Sequence, residues 1–230
     1  MALFALVHGG GHGGWCWEAL VPELERRGHL SVAPDLPFED DTAGARKWAQ
    51  VVVDAIERAA PSDDVVVVGH SMGGLCLPVV ASLRPVTRMV FLGALVPTPG
   101  TTHAEDLAEN PDAVVFDASL GTPGPSGLSW EAARHGFYAD CDEPTARRAY
   151  ERLRPTPLVV FTEPCPVEVW PEVPATYILM RDDRAVGPAW SRRAAARIGA
   201  DLIELDGSHS PFYSRPAELA DQLVALVDPS

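Results

Sequence analysis

Lysine is nearly missing from this chain of 230 residues: Lys47 is the sole one, and every other basic side chain is arginine. Basic residues are scarce as a whole, 18 against 32 acidic ones, and the net charge of −14 argues against nucleic acid or an anionic membrane surface as a partner. Cysteine is scarce too. Cys16, Cys76, Cys141 and Cys165 are widely spaced with no C-x-x-C pair, which excludes a zinc ribbon or disulfide framework and predicts reduced, mostly buried thiols. No apolar run approaches the ~20 residues of a membrane span. The opening Met1 to Val7 is apolar but lacks the basic start and cleavage site of a secretory leader, so a cytoplasmic location is expected. There is no internal repeat and no low-complexity tail.

What is present suits one large α/β domain: 47% of residues are hydrophobic and 22% charged. Apolar runs at Leu3 to Val7, Leu30 to Ala33, Val65 to Val68, Val86 to Leu92, Thr176 to Met180 and Asp201 to Leu205 predict strands. Helices are predicted between them, over 15–27 with Gly28 as its stop, 43–60 closed by Pro61 and Asp63-Asp64, 72–83, 189–198 and 216–227. Strands apolar on both faces and alternating with helices imply a parallel sheet covered on both sides, with every strand-to-helix loop at one edge. Residues 98–174 interrupt the alternation. Proline-rich turns at Gly121 to Pro125 and Pro155 to Pro157 flank helical stretches at 130–138 and 144–154, and the segment reads as a small cap over that edge. From Thr98 to Ala133 it carries six acidic residues and no basic one, which disfavours strongly anionic substrates if it borders a site.

Gly69-His70-Ser71-Met72-Gly73 stands between a predicted strand and a predicted helix. A G-x-S-x-G turn in that setting is where hydrolases hold a nucleophilic serine. The backbone at Ser71 must be strained, and glycine is required two residues to either side. A serine hydroxyl needs a base, an orienting acid and an oxyanion hole. His209, in Asp206-Gly207-Ser208-His209-Ser210-Pro211 just past a late strand, suits the base. Asp182 and Asp183 both follow the preceding strand; Asp183 is the expected acid, with Asp182 ordering the loop. The oxyanion donors should be the N–H of Met72 and an N–H of the loop His8-Gly9-Gly10-Gly11-His12-Gly13-Gly14, with Gly10 the candidate. Gly9-x-Gly11-x-x-Gly14 also fits a dinucleotide fingerprint, but Asp35 lies in a proline-flanked turn that suits a ribose contact poorly.

Together these motifs resemble the α/β-hydrolase superfamily over essentially the whole chain. His8 to Trp17, Tyr177 to Asp183 with Pro188, and Gly207-Ser208-His209 through Leu219 are similar to the plant methylesterase and hydroxynitrile lyase family and its bacterial relatives. The resemblance implies a six-stranded parallel sheet with a small cap, and Asp183 as the triad acid. It also marks a departure. The lyases carry lysine directly after the catalytic histidine, where this chain has Ser210, so cyanohydrin cleavage is disfavoured.

The expected activity is hydrolysis of a small neutral carboxylic ester or lactone through an acyl-enzyme, with no metal or organic cofactor. A non-catalytic small-molecule receptor on the same fold is the alternative. His12, Trp130, Phe137 and Tyr138 are the candidate substrate-pocket residues, packing of the cap being the competing role for the aromatic ones. His70 is expected behind the serine turn and Cys76 in the core; His103 and His135 have no assigned role. The sequence does not declare an oligomeric state.

Overall fold

In the computed structural model the described residues are 1–59, 64–124 and 126–227. The predicted helix end at Ala60, its closure at 61–63, and Pro125 in the glycine-proline turn lie outside them. Six strands, β1 Leu3–Val7, β2 Leu30–Val32, β3 Val65–His70, β4 Arg88–Leu92, β5 Ala175–Met180 and β6 Asp201–Leu205, form one sheet in the order β2-β1-β3-β4-β5-β6. Every neighbouring pair is parallel.

Side chains alternate across this sheet with the period of two that a strand imposes. Leu3, Ala5, Val7, Val65, Val67, Met89, Phe91, Tyr177 and Leu179 face one apolar layer. Its helices are α2 Ala45–Ala59, α3 Leu77–Leu83 and α8 Pro188–Arg197. Phe4, Leu6, Val66, Val68, Val90, Leu92, Ile178 and Met180 face the other, closed by α1 Val21–Arg26, the short α9 Pro211–Ser214 and α10 Pro216–Ala225. Burial on both faces is why these strands read as continuous apolar runs.

Two expected helices are broken. The stretch 15–27 is a 3-10 turn, Gly14–Trp17, followed by α1, and the stretch 72–83 is a 3-10 segment, Ser71–Cys76, followed by α3. In both, a proline (Pro22, Pro78) stands in the first turn of the α-helix, where its missing N–H is tolerated; deeper in a continuous helix it would remove a hydrogen bond.

Between β4 and β5 lie α4 His103–Glu109, α5 Trp130–Gly136, α6 Glu143–Glu151 and α7 Val159–Thr162. Ala133, Tyr138, Cys141, Ala146, Ala149 and Leu153 give this segment a small core of its own. Helix α4 was not anticipated, although Thr102-His103-Ala104-Glu105 is a capping-box sequence and the box forms. Glu163, just past α7, accepts the Ala45 N–H at the start of α2 and so ties the segment to the sheet's helical layer.

The chain runs from β1 outward to β2, then crosses back to place β3 on the other side of β1. Reversals of this kind open a crevice at the carboxyl ends of the strands. Here the loops after Val7 and His70 meet at that position, because Val7 pairs with Gly69.

Candidate active site

Ser71 is the first residue past β3 and has φ of +53°, the left-handed region; among the described residues it is the one non-glycine with positive φ. Such a conformation costs an L-residue about 1–2 kcal/mol, and it is held by dense packing. A Cβ at Gly73 would stand 2.7 Å from the carbonyl oxygens of both Val7 and His8, and one at Gly69 would stand 2.9 Å from Gly73 O. One at Gly9 would stand 2.7 Å from Ser71 Cβ. The glycines are therefore required by backbone contact between the two loops, and Ser71 lies directly against the glycine loop.

His209 follows β6 on a loop closed by Gly207 (φ +110°), and Asp183 follows β5. His209 Nδ1 lies 2.9 Å from Asp183 Oδ2, and both side chains are buried. Oδ1 of Asp183 accepts the N–H groups of Ala185 and Val186 at 2.8 and 3.0 Å, which fixes the carboxylate in place. The neighbouring Asp182 is exposed. Since Asp183 accepts at Nδ1, a neutral His209 carries its proton there and leaves Nε2 as a lone pair. Nε2 is buried and has no hydrogen-bond partner among the described residues. Behind the ring, His70 donates from Nε2 to the His209 carbonyl at 2.9 Å, with ring centroids 4.4 Å apart. Burial, followed by the neighbouring His209, holds His70 well below the usual histidine range, so it stays neutral.

The glycine loop is oriented peptide by peptide. His8 donates from Nδ1 to Gly9 O at 3.0 Å, and its Nε2 accepts the Leu36 N–H at 2.9 Å. His12 donates from Nδ1 to Gly10 O at 2.8 Å, and its Nε2 accepts from the Tyr138 hydroxyl at 2.8 Å. Both hydrogen-bond patterns need neutral rings. Burial supplies them, lowering His8 to about 4 and His12 to about 3. Gly11 N–H donates to Thr156 Oγ1 at 2.6 Å, and Gly11 O accepts from Arg154 N–H at 2.9 Å. In a trans peptide the C=O and N–H point in opposite directions, so anchoring Gly9 O directs the Gly10 N–H the other way. A Cβ at Gly10 would stand 2.6 Å from Met72 Sδ, which puts the two expected oxyanion donors on adjoining residues. Gly14 N–H donates to Asp35 Oδ1 at 2.8 Å, so this carboxylate occupies the loop end that a dinucleotide phosphate would need.

The other candidates divide. Phe137 lies over His209, with ring centroids 5.7 Å apart and planes at 29°, and stacks on Phe116 at 4.7 Å. His12 and Tyr138 are buried, behind the glycine loop. Trp130 stands instead with Tyr150, under the Arg147 guanidinium. Cys76 is in the core, where burial pushes its thiol up to about 12. Ser210 is buried, and Lys47 pairs with Asp40.

Four neighbours of the site had no assigned role in the sequence. Gly93 (φ +47°) lies under the Asp183–His209 pair, and His8 and Thr156 hold the glycine loop. Asp140 holds the His209 loop through Ser208. Of these, only His8 adjoins a recognisable motif.

A six-stranded parallel sheet with a strained serine turn after the third strand, a late histidine and an acid after the fifth defines an α/β-hydrolase. The chain belongs to the alpha/beta hydrolase family, whose pattern it matches over residues 4–222. It is 30% identical to norfluorocurarine synthase 2 from a Strychnos species, the match covering 98% of this chain and 95% of that protein. It is 27% identical to a pyrethroid hydrolase of Sphingobium wenxiniae, covering 97% and 86%. Polyneuridine aldehyde esterase superposes with a TM-score of 0.84 over 99% of this chain and 100% of its own, at 24% identity, which is a likeness of fold.

Proposed function

We propose that Ser71, His209 and Asp183 are the nucleophile, base and orienting acid of a serine hydrolase that cleaves a small neutral carboxylic ester or lactone. Membership of the chain among carboxylic ester hydrolases has independent support: its relatives include methylesterases and the Sphingobium pyrethroid hydrolase. The observation that carries the residue assignment is the buried 2.9 Å contact between His209 Nδ1 and Asp183 Oδ2, with His209 Nε2 left unpartnered near a strained serine turn.

His209 Nε2 takes the Ser71 proton as Oγ attacks the ester carbonyl. The N–H groups of Gly10 and Met72 receive the oxyanion, each such donor being worth about 3–4 kcal/mol. Asp183 holds the imidazole in the Nδ1–H tautomer and stabilises the imidazolium that forms. His209 then protonates the departing alcohol, and a water activated by the same nitrogen hydrolyses the acyl-enzyme. None of these steps calls on a metal or organic cofactor. Phe137 and its partner Phe116 offer an apolar wall beside His209, which favours an uncharged substrate. The buried free thiols Cys16, Cys76 and Cys141 accord with residence in a reducing cytoplasm.

Release of p-nitrophenol from a short acyl ester by the wild type and by Ser71→Ala is the test. Turnover in the first and its loss in a folded second are expected. Equal turnover in both would remove Ser71 from the reaction. A folded but inert wild type that binds small esters would favour a receptor.

A further inference from the structure

Three of the four residues past α5 reach the two halves of the site. Phe137 covers the His209 ring. The Tyr138 hydroxyl lies 2.8 Å from His12 Nε2. Asp140 accepts the Ser208 N–H at 3.0 Å through Oδ2 and the Ser208 hydroxyl through Oδ1. Proton bookkeeping sets the direction of the first chain. Gly10 O only accepts, so His12 must donate from Nδ1; its neutral Nε2 must then accept, and Tyr138 donates. The Gly10–Gly11 peptide is thereby gripped at both ends, its oxygen by His12 and its N–H by Thr156. In the second chain the Asp140 carboxylate lies over Gly207, where an added Cβ would stand 2.7 Å from Oδ2. It spans the turn that delivers His209. The turn itself is secured by Tyr138 N–H to Ala133 O and Cys141 N–H to Tyr138 O, both 3.2 Å, and by the core around Ala133, Tyr138 and Cys141.

We propose that the cap turn from Phe137 to Asp140 is the positioning element of the reaction. Tyr138 sets the oxyanion loop through His12, and Asp140 sets the backbone of His209 through Ser208. The Tyr138 hydroxyl is buried against His12 and Asp140 acts through Ser208, so both are positioning residues. One rigid-body seating of the cap thus aligns the oxyanion donors and the base together, and lifting it releases both. The role in turnover rests on the ester-hydrolase reading; the restraint of the two loops does not.

Tyr138→Phe, Asp140→Ala and Asp140→Asn separate the two. Hydrogen exchange should quicken in the glycine loop of Tyr138→Phe and in residues 206–210 of Asp140→Ala, with little crossover. With a p-nitrophenyl ester, kcat should fall by about tenfold or more in each while KM stays within about twofold. Asp140→Asn should recover part of the loss, because its amide oxygen still accepts the Ser208 N–H. Unchanged exchange in both loops would overturn the proposal, as would quickened exchange with kcat held within about twofold in an active enzyme. A loss confined to KM, or one that follows a lowered melting temperature and vanishes on cooling, would overturn it as well. Quickened exchange in the variants of a wild type that itself hydrolyses no ester would support the restraint and sink the ester-hydrolase reading instead.

Discussion

Gly93 lies directly against Asp183: a Cβ added at Gly93 would stand 3.0 Å from Asp183 Oδ2, with Met180 Cε at 2.7 Å and His209 Nδ1 at 3.6 Å. The carboxylate that orients the histidine therefore rests on a backbone with no side chain. Gly93→Ala should shift the pair and also strain a residue at φ +47°. The expected cost is about 1–2 kcal/mol of stability, read as a lower midpoint in urea, with ester turnover reduced more than the stability loss explains.

The two adjacent aspartates should differ sharply. Asp183→Asn keeps the size of the side chain and favours the wrong tautomer of His209, and kcat should fall by about 10³–10⁴. Asp182→Asn, on an exposed residue, should leave kcat within about threefold. Parallel initial rates decide this, and equal losses would remove the distinction.

Acid should destabilise the fold through its histidines. Burial lowers His103 to about 4 from an ordinary 6.5, with the Asp106 carboxylate 3.8 Å away opposing the shift. A folded pKa below the unfolded one means that the unfolded chain binds the extra proton first. The stabilisation is complete above pH 6.5 and is lost as pH falls toward 4, by about 1.4 kcal/mol per unit for each such group. His8 and His12 act in the same direction. His103→Gln removes one titrating group outside the proposed triad, so its melting temperature should fall less steeply than the wild type's between pH 6.5 and 4.5. Identical slopes would refute the assignment.

Glu163 accepts at the start of α2, where a negative charge also complements the unpaired N–H groups of the first turn. Glu163→Gln retains an acceptor and loses the charge. A drop of about 0.5–1 kcal/mol in unfolding free energy is expected, with no effect on KM for a neutral ester.

Much of this candidate site is legible in the sequence because its demands are local. Ser71 needs glycine at fixed offsets and a strand before it, and both stand within five residues of chain. Asp183 and His209 each follow a strand whose carboxyl end had to reach the same edge as Ser71 once the sheet was read as parallel. The 3-10 segments share their apolar spacing with the α-helices that follow, and only Pro22 and Pro78 mark the change from one to the other. The start of helix α4 is written in Thr102 and Glu105, amid a segment dense in proline. Thr156 and Asp140 were not legible: they meet Gly11 and Ser208 across 145 and 68 residues, and no offset rule spans such distances. Gly93 looked like the end of a strand, and only packing reveals what its missing Cβ admits.

The pairing of Val7 with Gly69 ties the candidate site to burial. Along β1, odd and even residues belong to different apolar layers, and the same holds along β3. A slip of one residue between these strands would send Leu3, Ala5 and Val7 into the layer built for Phe4 and Leu6. It would also carry Gly9 past Ser71. A misaligned serine turn is thus heavily penalised in the core as well, and hydrophobic fit proofreads the candidate site before any substrate arrives.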